Sequence, residues 1–172
     1  TNVAMKTRLG ITPNGFRTPG GFYNGLKGRP DLHAMLKRQG FKWISSVYPP
    51  HLSGKPKQEP GPQVYNSIVA AQQKAQPFRY PSGLIEIPMS PISDVTAFRA
   101  KFWKLDYFLK GVRLAVEWAI QERKVFDFLA HPSCLVVEDP GCEIVKMVCG
   151  RVKQSKDRAE IVGLDKIADR VA

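Results

Sequence analysis

The sequence predicts an α/β fold organised as a parallel sheet or barrel, and three observations carry that expectation. Short apolar runs bounded by Gly and Pro alternate with longer stretches of helical periodicity. The composition is that of an ordinary globular chain, 43% hydrophobic and 24% charged over 172 residues, enough to bury a core. Neither an internal repeat nor a second domain is visible, so residues 1–172 read as a single domain.

Taken in order, Asn2 to Leu9 has the composition of a closing helical turn that stops at Gly10, without a capped start. The chain therefore reads as beginning inside a larger fold. Gly15-Phe16-Arg17 is a short strand entering a turn at Thr18-Pro19-Gly20-Gly21, with Arg17 at the strand end. Asp31 caps a helix in which Leu32, Met35 and Leu36 recur at helical spacing until Gly40, and a strand follows at Phe41 to Val47. Residues 48–62 are rich in Pro, Gly and Lys and form a long surface loop.

Gln63 to Ala75 reads as a helix with Val64, Ile68 and Ala71 on one side, and Phe78 to Tyr80 and Leu84 to Ile87 as short strands around Pro81-Ser82-Gly83. From Ser93 and Asp94 onward, Phe98, Phe102, Leu105, Leu109, Val112, Val116 and Ala119 step by four and three, which specifies one helix or two abutting helices on a core. Trp103, Phe108 and Trp118 share that spacing and are assigned to the core, although a sugar-stacking strip would use the same residue types. Val125 to Ala130 has the character of a buried strand with His131-Pro132 at its C-terminal end. A helix from Pro140 through Cys149, a strand at Ile161 to Val162 and a helix from Asp165 complete the alternation.

Charge and cysteines narrow the function classes. The net charge is +11, but residues 1–83 carry nearly all of the surplus, with 12 Lys or Arg against Asp31 and Glu59. Those basic residues are scattered among Gly and Pro and form no reader motif, so no nucleic-acid partner is assigned. Cys134, Cys142 and Cys149 match no zinc or redox spacing and are expected to be reduced and mostly buried. No apolar run is long enough to span a bilayer, and the first residues lack the zones of a signal peptide. Localisation stays open between cytoplasm and cell envelope.

Arg17 and His131 both stand at predicted C-terminal strand ends, where parallel α/β folds gather their active sites. A histidine can donate a proton near neutral pH, and an arginine can fix a carboxylate by two parallel hydrogen bonds. His33 and His51 have no partner at metal-ligand spacing, and no residue of this chain is assigned to a metal.

The stretch Gly15-Phe16-Arg17-Thr18-Pro19-Gly20-Gly21 resembles the third motif of the polysaccharide deacetylases, the NodB-homology or carbohydrate esterase family 4 domain. Gly40 to Ser46 resembles the strand after it, Gly83-Leu84-Ile85-Glu86-Ile87-Pro88 the family's glycine-apolar-glutamate-apolar-proline strand, and Leu129-Ala130-His131-Pro132 its fifth motif. The resemblance covers essentially the whole chain. It implies a distorted (β/α) barrel, here incomplete at its N-terminus, that removes N-acetyl groups from sugars with a divalent metal, zinc or similar. Carried over, Arg17 is the arginine that orients the aspartate base, His131 the general acid, and Leu129 the apolar wall beside the acetyl methyl. Trp43 is grouped with Leu129 as substrate-binding.

The first two motifs, which supply the base and the metal ligands, are absent, and the metal is expected only in a full-length protein. The fourth motif, an aspartate before a tryptophan that tunes the histidine, has no clear equivalent. Trp43, Ser45, Ser46 and Tyr48 stand where it would fall. The expected function is hydrolysis of non-peptide carbon-nitrogen bonds, with a carbohydrate as substrate and the chain by itself inactive. The alternatives are a small cyclic-amide hydrolase of the same superfamily and a catalytically silent carbohydrate-binding domain.

Overall fold

In the computed structural model, which describes residues 2–171, the chain divides into two compact units. One comprises Thr1–Tyr48, Pro77–Pro88 and Val162–Ala172, and the other Pro49–Gln76 and Met89–Ile161. The elements run α1 (Asn2–Leu9), β1 (Gly15–Phe22), α2 (Pro30–Arg38), β2 (Trp43–Val47), α3 (Pro62–Ala71), β3 (Phe78–Arg79) and β4 (Ile85–Glu86). They continue with a π-helical turn (Val95–Ala100), α4 (Leu105–Glu122), α5 (Pro132–Glu138), α6 (Glu143–Gln154) and α7 (Leu164–Asp169).

The first unit holds a mixed sheet of four strands in the order β1-β2-β4-β3. β1, β2 and β4 are parallel, with Phe16 opposite Ile44 and Ile44 opposite Glu86. β3 is antiparallel to β4 and returns through the tight turn at residues 81–83. α2 supplies the crossover from β1 to β2. It stops where the sequence says, because Gly40 takes φ +86° and lets Phe41 N–H reach back to the Leu36 carbonyl at 3.1 Å. Leu36 packs with Leu26, Ile44, Tyr80 and Leu84. Ile85, Ile87 and Ala168 form a further cluster with Trp43 and residues of α7.

Glu86 is the polar centre of this unit. Its carboxylate is fully buried on β4 and accepts four hydrogen bonds. Ser46 N–H and Val47 N–H donate to Oε1 at 2.7 and 2.8 Å, and the Ser46 and Tyr80 hydroxyls donate to Oε2 at 2.7 and 2.9 Å. The Tyr80 oxygen in turn accepts Leu26 N–H at 3.1 Å. A buried carboxylate is tolerable only with such a shell, so the C-terminal end of β2 and the Leu26 loop are fixed by one side chain. Gly25 completes the arrangement at φ +56°, where an added Cβ would lie 2.5 Å from the Tyr80 oxygen.

The second unit is helical around one apolar cluster that includes Val64, Ile68, Phe98, Phe108, Val112 and Ile144. The periodic stripe that specified α4 is where its buried face lies, with Phe108 and Val112 completely enclosed. Trp103 and Phe108 are core residues as expected, although Trp103 lies just ahead of α4, whereas Trp118 is half-buried and outside this cluster.

Several elements differ from expectation for identifiable reasons. Thr18 to Gly21 lies within β1 instead of ending it. Proline is tolerated there because β1 is an edge strand whose register shifts between Arg17 and Phe22. Val125 to Ala130 is not a strand, although Phe126 and Phe128 do pack on the core. The place of a partner strand at Val125 is taken by the Gln76 amide, which binds the Val125 N–H at 2.9 Å and its carbonyl at 3.1 Å. Ile161–Val162 is likewise not a strand.

The expected helix from Pro140 through Cys149 starts later and runs further, and the unpredicted α5 precedes it. The break is made by buried Asp139, whose oxygens accept Glu143 N–H at 2.8 Å and Ile144 N–H at 2.9 Å. The long periodic segment splits at Phe102, which adopts φ +54° and is exposed at 56% instead of joining the core stripe. Cys134 is buried, but Cys142 and Cys149 are exposed, against the expectation of mostly buried thiols; all three are free. No helix among the described residues is long and apolar enough to cross a membrane.

Two outcomes follow from this packing. Glu86→Ala leaves four buried donors without an acceptor and is expected to lower the unfolding free energy by about 3 kcal/mol or more, measured by urea denaturation. Unchanged stability would show that the shell is not needed. Tyr65 sets an alkaline limit. Burial first, then the charges of Glu59 and Tyr107, push its phenol from 10 up to about 12, so folding favours the neutral form. That contribution is intact below the unfolded value of 10 and is lost as pH rises through about 12. In denaturation series across this range, Tyr65→Phe should therefore lose stability less steeply than the wild type.

Candidate functional site

The site is built in the second unit from two segments 37 residues apart. Asp94 ends a run, Leu84 to Asp94, in which every residue is buried, and it opens the π-helical turn. His131 stands directly before α5, in extended conformation ahead of Pro132 at the first helical position. Its carbonyl accepts the N–H groups of Cys134 at 2.8 Å and Leu135 at 3.0 Å, so the helix start holds one side of the residue.

Asp94 holds the other side. Its carboxylate is fully buried and surrounded by N–H donors. Val95 N–H donates to Oδ1 at 2.8 Å, and His131 N–H donates to Oδ2 at 2.6 Å. The His131 ring reaches Oδ1 through Nδ1 at 2.9 Å and Oδ2 at 3.3 Å. A carboxylate only accepts, so the shared proton belongs to Nδ1, which fixes tautomer and ring plane together. Nε2 is left without a protein partner among the described residues, on a side chain that is 43% exposed. Backbone and ring are thus both anchored, and one nitrogen is presented to solvent. Such a ring can donate a proton when cationic and accept one when neutral.

Two groups flank the pair. Arg99, on the π-helical turn, is exposed, and its Nη2 donates to the Ser133 hydroxyl at 3.1 Å. Cys134 senses both charges: burial pushes its thiol up, Asp94 adds to that, and a hydrogen bond to Arg99 opposes it. Arg99, Ser133, Cys134, Asp94 and His131 are therefore one constellation, assembled from the π-helical turn and the start of α5.

Of the residues expected from sequence, only Leu129 and His131 belong to this segment; Leu129 is half-buried, two positions before the histidine. Arg17 lies in the other unit, half-buried in β1 opposite Ser45, just before the register shift. Trp43 is also in that unit and packs in the cluster around Ile85 and Ile87, with its ring against the Gly15 backbone. His33 is buried, with Nδ1 3.0 Å from the Ser82 hydroxyl and its ring 4.5 Å from that of Tyr80. His51 Nδ1 lies 2.6 Å from the Leu52 carbonyl, and burial pushes this imidazole down.

Asp94 is the residue that sequence reasoning missed. It reads as an ordinary helix start in Ser-Pro-Ile-Ser-Asp, and the resemblance puts the histidine's partner before a tryptophan, toward Trp43 in this chain. The one available signal is a carboxylate closing a stretch, Ile87 to Ser93, that holds no other charge, since a buried acid needs donors from elsewhere in the chain.

Among the described residues, no group of three or more His, Cys, Asp or Glu side chains could hold a metal ion. The donor set present does not fit the divalent metal that the resemblance implies, and no step below runs through one. Comparison with known proteins finds no matching family model, no matching curated protein and no matching solved structure.

The tautomer is directly testable. Long-range proton-nitrogen spectra of neutral His131 should show the proton on Nδ1, and Asp94→Asn should shift the population toward Nε2–H, the usual form of a free ring. An unchanged tautomer in Asp94→Asn would mean that the carboxylate does not set it.

Proposed function

We propose that this chain supplies the proton-donating part of a hydrolase for non-peptide carbon-nitrogen bonds, with His131 as general acid and Asp94 as the group that positions it. The observation that carries this reading is the buried carboxylate that holds both Nδ1 and the backbone N–H of a part-exposed histidine. Orientation at that level has no evident use in a sugar-binding surface, which needs no proton donor.

Amide hydrolysis forms a bond from water oxygen to the acyl carbon and breaks the bond from that carbon to nitrogen. An amine is a poor leaving group until it is protonated. His131 delivers the Nε2 proton to the departing nitrogen as Asp94 keeps Nδ1–H engaged, and the pair ends as a neutral imidazole beside the carboxylate. The proton lost by the attacking water passes to a base outside this pair.

The resemblance of the Arg17, Gly83–Pro88 and His131 motifs to polysaccharide deacetylases favours an N-acetylated sugar as substrate and a NodB-type barrel as the parent architecture. In that reading Arg17 fixes a carboxylate, and Leu129 faces the acetyl methyl. Asp94 takes the part of the histidine's missing partner.

The test is acetate release from N-acetylglucosamine oligomers by the whole protein, supplied with zinc or another divalent ion. His131→Gln should cost about 10²- to 10⁴-fold in kcat. The loss should shrink on a p-nitroanilide, whose less basic nitrogen needs less help from a proton donor as it leaves. Asp94→Asn should cost about 10²-fold or more, by presenting the wrong tautomer. Equal rates for wild type and His131→Gln, or an equal loss on both substrates, would sink the assignment.

A further inference from the structure

Arg99 needs an explanation that neither the fold nor the His131–Asp94 pair provides. Its guanidinium is tethered to Ser133 Oγ at 3.1 Å, in the first turn of α5 and two residues beyond His131. A guanidinium only donates, so it cannot satisfy the free N–H groups of that turn, and helix capping does not account for its place. Nor is it the counter-ion of Asp94. That carboxylate is buried and occupied by the N–H groups of Val95 and His131, and Arg99 forms no ion pair among the described residues. What remains is an exposed, tethered cation with no carboxylate partner, in the same constellation as the proton donor.

We infer that Arg99 is a specificity-determining residue that binds a carboxylate on the amine side of the substrate. This rests on the reading of His131 as the group that protonates the leaving nitrogen, which puts that nitrogen against the start of α5. Arg99 is tethered to Ser133 in that same helical turn, and it is assigned to the substituent on that nitrogen. A guanidinium matches the planar oxygen pair of a carboxylate, and with one N–H on the Ser133 hydroxyl and one toward the Cys134 thiol, three of its five N–H donors remain for a ligand. The substrate class is then an N-acylated amino acid or amino-sugar acid, in which a carboxylate lies a few bonds from the scissile nitrogen. A neutral N-acetylated sugar leaves the cation unused.

Binding separates this inference from the catalytic reading. N-acetylalanine and its neutral carboxamide are titrated into the intact chain, wild type and variants, with chemical shifts at His131 and the Arg99 side chain as readout. The wild type should bind the carboxylate at least about 10-fold more tightly than the carboxamide. Arg99→Gln should remove that preference, and Arg99→Lys should keep part of it, because charge without the planar fork is a weaker match. His131→Gln should leave the preference intact. Arg99 is exposed, so both of its variants should keep the wild-type melting temperature.

In parallel, hydrolysis of the same two amides is followed in the whole protein. A charge preference that depends on Arg99 without any hydrolysis supports this site and counts against the catalytic proposal. Hydrolysis that needs His131 but ignores the carboxylate overturns the role of Arg99 and leaves the catalytic proposal standing. Absence of any preference in the wild type overturns it as well.

Discussion

A carboxylate withdrawn from water must be given hydrogen-bond donors, and that requirement organises both units of this chain. Burying an unpaired charge costs far more than a domain's net stability allows, so each buried acid draws backbone segments around itself. Glu86 gathers the end of β2 and, through the Tyr80 hydroxyl, the Leu26 loop. Asp94 gathers the start of the π-helical turn and the residue before α5. Asp139 does the same on a smaller scale at the start of α6. Apolar packing supplies the bulk of the stabilisation, but it is non-directional; these three acids decide where particular loops are pinned.

The same constraint links fold to chemistry. Donors that make Asp94 tolerable in the interior include the ring and backbone of His131, so the arrangement that solves a solvation problem also fixes an imidazole. Because the His131 carbonyl is bound by the first turn of α5, the ring has little freedom apart from the helix. A preorganised donor of this kind loses nothing to reorientation when a substrate arrives, which is why such pairs suit proton transfer. Arg99 reaches the same helical turn from the opposite segment, where it donates to the Ser133 hydroxyl.

Glu86 and Asp94 have similar burial but different consequences. Glu86 is enclosed by buried Ser46 and Tyr80 and half-buried Val47, and burial followed by the Glu86 charge pushes the Tyr80 phenol above the ordinary tyrosine range. That network is closed and structural. The Asp94 network ends in a side chain that is 43% exposed, so one of its members is available to a ligand. The two buried acids differ in whether the chain of hydrogen bonds ends in an exposed side chain.

Local chemistry was legible wherever one segment decides its own structure. The Gly40 stop, the loop after Tyr48, the apolar face of α4 and the core placement of Trp103 and Phe108 follow from residue type and spacing, which act over a turn or two of chain. His131 stood out from its residue type and its place after an apolar run. Tertiary structure decided the rest. Val125 to Ala130 has a strand's composition, but strands require a partner, and an amide from Gln76 took that place. Asp94 looks like a helix start in sequence, and only the fold brings it to a histidine 37 residues away. The sequence by itself determined α2 with its Gly40 stop, α3, the buried face of α4 and the likeness that singled out Arg17 and His131. The pairing of Asp94 with His131, and the placement of Arg99 beside them, arise from long-range packing, because no local pattern records which distant N–H will reach a buried carboxylate.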